Sequence, residues 1–191
     1  MTNNDQYFIE QLQAGNTAVF ADLVDTYKNL VFSLALRMLK QTEEAEEVSQ
    51  DTFIKVFKGI DKFKSDSKLS TWIYRITYNS CLDRLKSKRR EFMTVEIDEH
   101  NANKISDVGN AFEVLAQKER EEAIQECLAK LPPDDAALLT LFYFEEKKLQ
   151  EIERITDLSV NTIKVRLFRA RKRLAGIMQD HLEPEILQHY G

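Results

Sequence analysis

Hydrophobic residues recur every three or four positions along most of this 191-residue chain. In FADLVDTYKNLVFSLALRMLK, the residues Phe20, Leu23, Val24, Tyr27, Leu30, Val31, Leu34 and Met38 share one face of an amphipathic helix. Asn16 or Thr17 is placed to cap its start. The next segment, QTEEAEEVSQDTFIKVFKGIDKF, predicts a second helix with Ala45, Val48, Ile54, Phe57 and Ile60 turned inward. Thr42 is its expected N-cap, and Glu43, Glu44, Glu46 and Glu47 crowd the first turns, where the helix dipole favours negative charge. Gly59 and the polar run from Lys62 to Lys68 then break the pattern. LSTWIYRITYNSCLDRLKSKRR predicts a third helix, with Leu69, Trp72, Ile73, Ile76, Cys81 and Leu85 as its inward stripe.

From Glu91 to about Asn110 the periodicity fades, and the stretch reads as a linker. A long loop inside one domain is the alternative, but compact domains seldom contain one. AFEVLAQKEREEAIQECLAKL is helical again until Pro132 and Pro133 stop it, because proline lacks the amide donor and disfavours helix in the residue before it. Pro133 also suits the opening of the next helix, DDAALLTLFYFEEK. Two further pieces, LQEIERIT and SVNTIKVRLFRARKRLAGIMQ, are separated by Thr156 to Ser159. The expectation is an all-α protein of two small helical domains, over 7–90 and 111–178, with a linker at 91–110 and a tail at 179–191.

Composition supports that picture. Only 5 Gly and 3 Pro are present, and 43% of residues are apolar, enough for a core. No run approaches the length of a membrane span, and MTNNDQYFIEQLQ lacks the basic start and apolar stretch of a secretory signal. Cys81 and Cys127 form no metal-ligand spacing and suit a reducing cytoplasm as two buried thiols. No metal or cofactor is expected. His100, His181 and His189 accompany no nucleophile or metal cluster, which argues against an enzyme.

Charge changes the picture more. The chain carries 32 acids against 27 bases, yet SVNTIKVRLFRARKR holds six cations and no acid. Electrostatic footprints are local, since the Debye length is about 8–10 Å at physiological salt. In that segment Ile163, Leu167, Ala170, Leu174 and Ile177 form an inward seam, and Ser159 is a good N-cap. Asn161, Lys164, Val165, Phe168, Arg169, Lys172 and Arg173 lie on the opposite faces. This is the layout of a helix-turn-helix whose second helix enters the major groove. Lys164 and Arg169 can donate to guanine or phosphate; Val165 and Phe168 can meet a thymine methyl or a sugar edge; Thr162 can help hold phosphate. A solvated basic face is the plainer alternative, and it leaves the turn, the cap and the seam unexplained.

Two other segments carry chemistry. Trp72, Tyr74, Tyr78 and Asn79 sit among Arg75, Arg84, Lys86, Lys88, Arg89 and Arg90, so aromatics there can stack on unpaired bases while cations follow the backbone. Core packing is the alternative for Trp72. The acidic EEAEEVSQD is either a solvated face or a dock for a basic protein partner. Metal binding there is disfavoured, because no glycine loop or histidine accompanies the carboxylates.

EEAEEVSQDTFIKVF, STWIYRITYNSCLDRLKSKRR and LPPDDAALLTLFYFEEKKLQEIERITDLSVNTIKVRLFRARKRL, in this order, resemble the sigma factors of bacterial RNA polymerase. The likeness is to the compact extracytoplasmic-function (ECF) group of the sigma-70 family, and it covers about residues 7 to 178. It implies that 7–90 is sigma region two and that 111–178 is sigma region four. Glu47, Gln50 and Asp51 match the motif that binds the β′ clamp helices of core polymerase. Phe63, Lys64, Ser65, Asp66 and Ser67 match the loop that accepts a base flipped out of the −10 element, and Asn79 matches a polar residue of the helix beneath. Asn161, Thr162, Lys164, Val165, Arg166, Phe168, Arg169 and Lys172 are then candidates for the −35 element. The implied partners are core polymerase (the β′ clamp helices and the β flap), promoter DNA and, as for many members, an anti-sigma factor. The implied role is promoter-directed initiation and −10 melting by a cytoplasmic factor without catalytic activity or membrane insertion. Three positions depart from the family pattern. Glu153 stands where a small residue is usual at the helix crossing, Asp157 where glycine is common, and Ser49 where an apolar residue is common.

Overall fold

The computed structural model of the protein describes residues 3–92 and 123–181, and every regular element among them is helical. The expected linker, apart from its first two residues, and the tail beyond 181 lie outside the described residues, as does the first half of the helix expected from 111.

Helix α1, Asn3–Gln13, precedes the elements that the sequence pattern marked. It docks through Phe8, Ile9 and Leu12, all buried, too short a stripe to stand out in a polar segment. The Tyr27 hydroxyl donates to the Asp5 carboxylate and ties α1 to the next long helix. Burial and that carboxylate push the Tyr27 pKa far up. Asn16 Oδ1 accepts from the Ala18 amide at 3.3 Å and starts a short turn, Thr17–Val19, that leads into α2, Phe20–Leu39.

Helix α3 spans Thr42–Gly59. Its N-cap is Gln41 in extended backbone, so Thr42 is the first helical residue and not the cap. Ala45, Val48, Thr52, Phe53 and Val56 face the core, whereas Ile54 and Phe57 are 50% and 43% exposed, against expectation. Helical phase explains this: nine residues at about 100° each put Ile54 on the face opposite Ala45. Phe57 finds a partial partner in Phe20, edge to face at 4.9 Å. A short turn, Ile60–Lys62, and the loop after it lead to α4, Leu69–Phe92.

In the second half a helix over 123–129, α5, is followed by α6, Pro133–Leu139, with Pro133 in its first turn. A π-helical turn, Thr140–Phe144, links α6 to α7, Leu149–Thr156, and α8 runs Val160–His181.

The two halves pack against each other. Leu34, Met38, Tyr74, Tyr78 and Cys81 join Leu128, Leu138, Leu141, Ile152, Ile163 and Leu167 in one apolar cluster. A second cluster, including Phe8, Leu23, Val31, Val56, Ile60, Leu69 and Ile73, belongs to the first half alone. Helix α4 lies against α7, and α2 against α6. Tyr74 and Tyr78 are therefore interior, not platforms for bases as their spacing suggested. Burial and the Glu145 carboxylate push the Tyr74 pKa far up.

Polar contacts rim this seam. Arg75 donates to both carboxylate oxygens of Asp157 at 2.9 Å, and Lys68 meets Glu151 at 2.9 Å. Arg154 donates to the Asp66 carbonyl at 2.6 Å, and the Arg37 guanidinium lies 4.6 Å from the centre of the Phe144 ring. Partial burial raises the Glu151 pKa, but Lys68 and the Lys148 amide outweigh it, and the carboxyl sits below its usual 4.5.

Leu34 is fully buried in the apolar cluster that both halves share. Leu34→Ala is expected to cost about 2–5 kcal/mol in urea unfolding, and a loss under 1 kcal/mol would contradict this packing. Because the Glu151 pKa is depressed, its stabilising effect is present above 4.5 and disappears as pH falls through its lower folded value. A carboxyl titration by NMR should place its midpoint below 4.5, and a midpoint at or above that value would remove Lys68 as its partner.

Candidate nucleic-acid and protein interfaces

Three surfaces carry the expected site residues. The first is α8, whose start is built by its own neighbours. Helix α7 ends at Asp157, whose backbone is left-handed with φ 58°, and the Asp157 amide closes onto the Glu153 carbonyl at 2.9 Å. Aspartate tolerates this conformation better than most residues. The Ser159 hydroxyl accepts from the Thr162 amide at 3.3 Å, as an N-cap does. The Glu153 carboxylate accepts from the Val160 amide at 3.2 Å. The large acidic residue at the helix crossing thus satisfies an amide that a small side chain could not reach.

Ile163, Leu167 and Ala170 are buried along the inner seam of α8, with Leu174 and Ile177 half-buried beyond them. Asn161, Thr162, Lys164, Val165, Phe168, Arg169 and Lys172 are all exposed. Phe168, at 61%, is the most exposed of the large apolar residues described, and Val165 is 50% exposed. Among the described residues, Lys164, Arg169 and Lys172 have no acidic partner. Arg166 differs: it is half-buried, 3.5 Å from the Asp134 carboxylate. Arg173 pairs with Asp135, and Arg171 donates to the Tyr143 hydroxyl at 3.1 Å. The helix therefore divides its cations between an open face, one turn apart around two apolar side chains, and a flank that holds α8 to α6.

The second surface is a cleft of about 440 Å³ at the start of α4. Phe63, Lys64, Asp66 and Ser67 line it, together with Lys62, Thr71, Trp72, Arg75 and Arg154. Ser65 and Asn79 do not line it: Ser65 is exposed with φ 58°, and Asn79 lies one turn beyond Arg75. Phe63 is buried, its ring 4.9 Å from that of Trp72, so the two aromatics form a wall. The Thr71 hydroxyl is buried without a protein partner. An aromatic wall, an unengaged hydroxyl and several cations suit a planar, hydrogen-bonding group such as a nucleobase. Trp72 combines the two roles its pattern left open, half in the core and half in the cleft. Arg154, from the other half of the chain, could not be placed here by local pattern.

The third surface is the outer face of α3. Glu47, Gln50 and Asp51 are exposed at helical spacing, and Ile54 extends the same face by one turn. Glu47 meets Arg84 at 2.7 Å, and the buried Glu44 meets Lys88 at 2.7 Å. The basic end of α4 thus answers part of the acidic cluster, leaving Gln50, Asp51 and Ile54 free for a partner. Sequence marked Ile54 as core; its exposed position beside Asp51 makes it part of this face.

Comparison with known proteins covers both halves. Residues 23–91 match the family described as Sigma-70 region 2, and residues 121–174 match Sigma-70, region 4. The ECF RNA polymerase sigma factor SigW of Bacillus subtilis is 32% identical over 178 residues, covering 90% of this chain and 95% of that protein. The RNA polymerase sigma-H factor of Pseudomonas aeruginosa is 28% identical over 181 residues, covering 92% and 94%. Among solved structures, the sigma factor RpoE co-crystallised with the anti-sigma factor NepR from Bartonella quintana superposes with a TM-score of 0.68 at 21% identity, over 84% of this chain and 96% of that one. CnrH in complex with the cytosolic domain of CnrY gives 0.63 at 20%, over 93% and 99%. These two share the fold.

The cap at the start of α8 yields a direct test. Ser159→Ala is expected to cost about 1 kcal/mol of stability, read by thermal unfolding, and no loss would mean the Thr162 amide is satisfied in another way.

Proposed function

The chain belongs to the sigma-70 family of RNA polymerase sigma factors, in its ECF group, and serves promoter-specific transcription initiation; from that premise we propose how its surfaces divide the work. Region two, 7–90, docks on the β′ clamp helices of core polymerase through Gln50, Asp51 and Ile54, with Glu47 on the rim. Region four, 111–178, meets the β flap and lays the open face of α8 in the major groove of the −35 element. Lys164, Arg169 and Lys172 contact phosphate or guanine, Val165 and Phe168 make apolar base or sugar contacts, and Asn161 and Thr162 approach from the helix start. Arg166 supports α8 through Asp134 more than it reads DNA.

The cleft walled by Phe63 and Trp72 receives a base extruded from the −10 element. Unstacking a base costs a few kcal/mol, and a preformed aromatic site offsets part of that, which favours strand opening. Lys64, Asp66 and Ser67 supply polar contacts, with Asn79 and Ser65 at the margin. The protein contributes binding and positioning and has no catalytic activity of its own; the polymerase makes RNA. No described helix is long and apolar enough to cross a membrane, and work on the chromosome places the factor in the cytoplasm. An anti-sigma factor is a fitting regulator, since RpoE, one of the two structural relatives above, was captured with one.

The exposed Phe168–Arg169 pair on a capped helix, 61% exposed at Phe168, is the observation that most directly supports −35 reading. In-vitro transcription with core polymerase on a randomised promoter library should give start sites that share two conserved elements. No initiation from any sequence would defeat the proposal. Arg169→Ala should relax selection at one −35 position by about 1–3 kcal/mol, while Gln50→Ala/Asp51→Ala should lower core binding without unfolding the protein.

A further inference from the structure

The aromatic wall of the −10 cleft is held by residues that do not line the cleft themselves. Phe63 follows the turn Ile60–Lys62, and its amide donates to the Ile60 carbonyl at 3.1 Å. Gln13, the last residue of α1, reaches the same turn from far away in the chain. Its Nε2 donates to the Ile60 carbonyl at 3.0 Å and to the Phe63 carbonyl at 3.1 Å, across 47 and 50 positions. One side-chain amide thus ties both ends of the turn to α1. Trp72 is placed by shape. A Cβ at Gly59 would stand 3.2 Å from its indole, so the end of α3 is bare where the ring lies.

Helix α1 is a firm base for this contact. Phe8, Ile9 and Leu12 are buried, and the Tyr27 hydroxyl donates to Asp5. Gln13 itself is exposed. Water can therefore serve the two carbonyls once the side chain is removed, and the fold loses little. Water does not fix where Phe63 sits, however. Beyond Phe63 the chain runs through loop residues to Lys68, with Ser65 in left-handed backbone at φ 58°. A binding site works only while its groups stay within about 0.5 Å of the productive geometry. Base capture is sensitive to this, because stacking in the cleft must offset the cost of unstacking in the duplex.

We infer that Gln13 is a positioning residue for base capture: from α1 it holds the turn before Phe63, so that the Phe63 ring stands against Trp72 and the wall is preformed. This rests on the assignment of the cleft to the −10 element. Gln13 acts through Phe63 and touches neither DNA nor polymerase in this role. Gly59 serves the same wall through Trp72. Helix α1 supplies no residue to the three surfaces described above, yet it thereby takes part in promoter selection.

The test compares the full chain with Gln13→Met, Gln13→Glu and, as a control on the same helix, Gln6→Met. Methionine and glutamate keep the length of glutamine, but the first offers no polar donor and the second only acceptors. Gln6 donates to Glu10 within α1 at 2.8 Å. Each protein is assembled with core polymerase and initiates on a promoter library randomised across the −10 and −35 elements. Both Gln13 variants should lose about fivefold in discrimination at a single −10 position and keep it at all others. Core binding and thermal unfolding should match those of the unaltered protein and of Gln6→Met. In the free proteins, acrylamide should quench Trp72, the single tryptophan, more strongly in both Gln13 variants, because the Phe63 ring no longer shields it steadily. Unchanged discrimination at every position, or a loss spread evenly over both elements, would overturn the inference, as would unchanged Trp72 quenching. If even the unaltered protein initiates nowhere, the assignment of the cleft falls, and Trp72 quenching still decides whether Gln13 holds the wall.

Discussion

Helix α4 is buried on two sides, and the rest of the molecule is arranged around that constraint. One side presents Leu69 and Ile73 to α1, α2 and α3. The other presents Tyr74, Tyr78 and Cys81 to α6, α7 and α8. A fully buried large apolar side chain contributes roughly 1.5–3 kcal/mol, whereas an exposed ion pair contributes about 0.2–1 kcal/mol. The apolar seam therefore supplies most of the attraction between the halves. The Arg75–Asp157 and Lys68–Glu151 pairs fix register and orientation at its rim.

Charge is sorted by the same helix. Its basic end neutralises Glu44 and Glu47 on α3, and its start lends Arg75 to the cleft. A net charge of −5 thus coexists with an open basic face on α8, because what a partner meets is local. The acidic α3 face and the basic α8 face lie in different halves of the chain. Cys81 fits the structural role expected of it: burial pushes its thiol up to about 12, where it is inert.

Much of the fold was legible residue by residue. The α8 seam, the Ser159 cap and the Pro133 helix start follow from local rules that tertiary contact did not override. The errors are also instructive. Ile54 and Phe57 looked inward because they are apolar, but helical phase set by Ala45, Val48 and Val56 turns them out. Helix α1 was missed because only Phe8, Ile9 and Leu12 mark it. Tyr74 and Tyr78 looked available to bases because a single helix offers no sign of a second neighbour.

Sequence by itself determined the long amphipathic helices after α1, the helix-turn-helix and the division of charge between α3 and α8. These depend on periodicity, capping and side-chain chemistry within a few residues of each other. Only the tertiary structure decided that Arg154 enters the cleft beside Phe63 and Trp72, that Arg75 meets Asp157 across 82 positions of chain, and that Glu153 caps α8 seven residues on. The first two contacts join groups far apart in the chain, and no local pattern encodes which distant surface a buried helix will share.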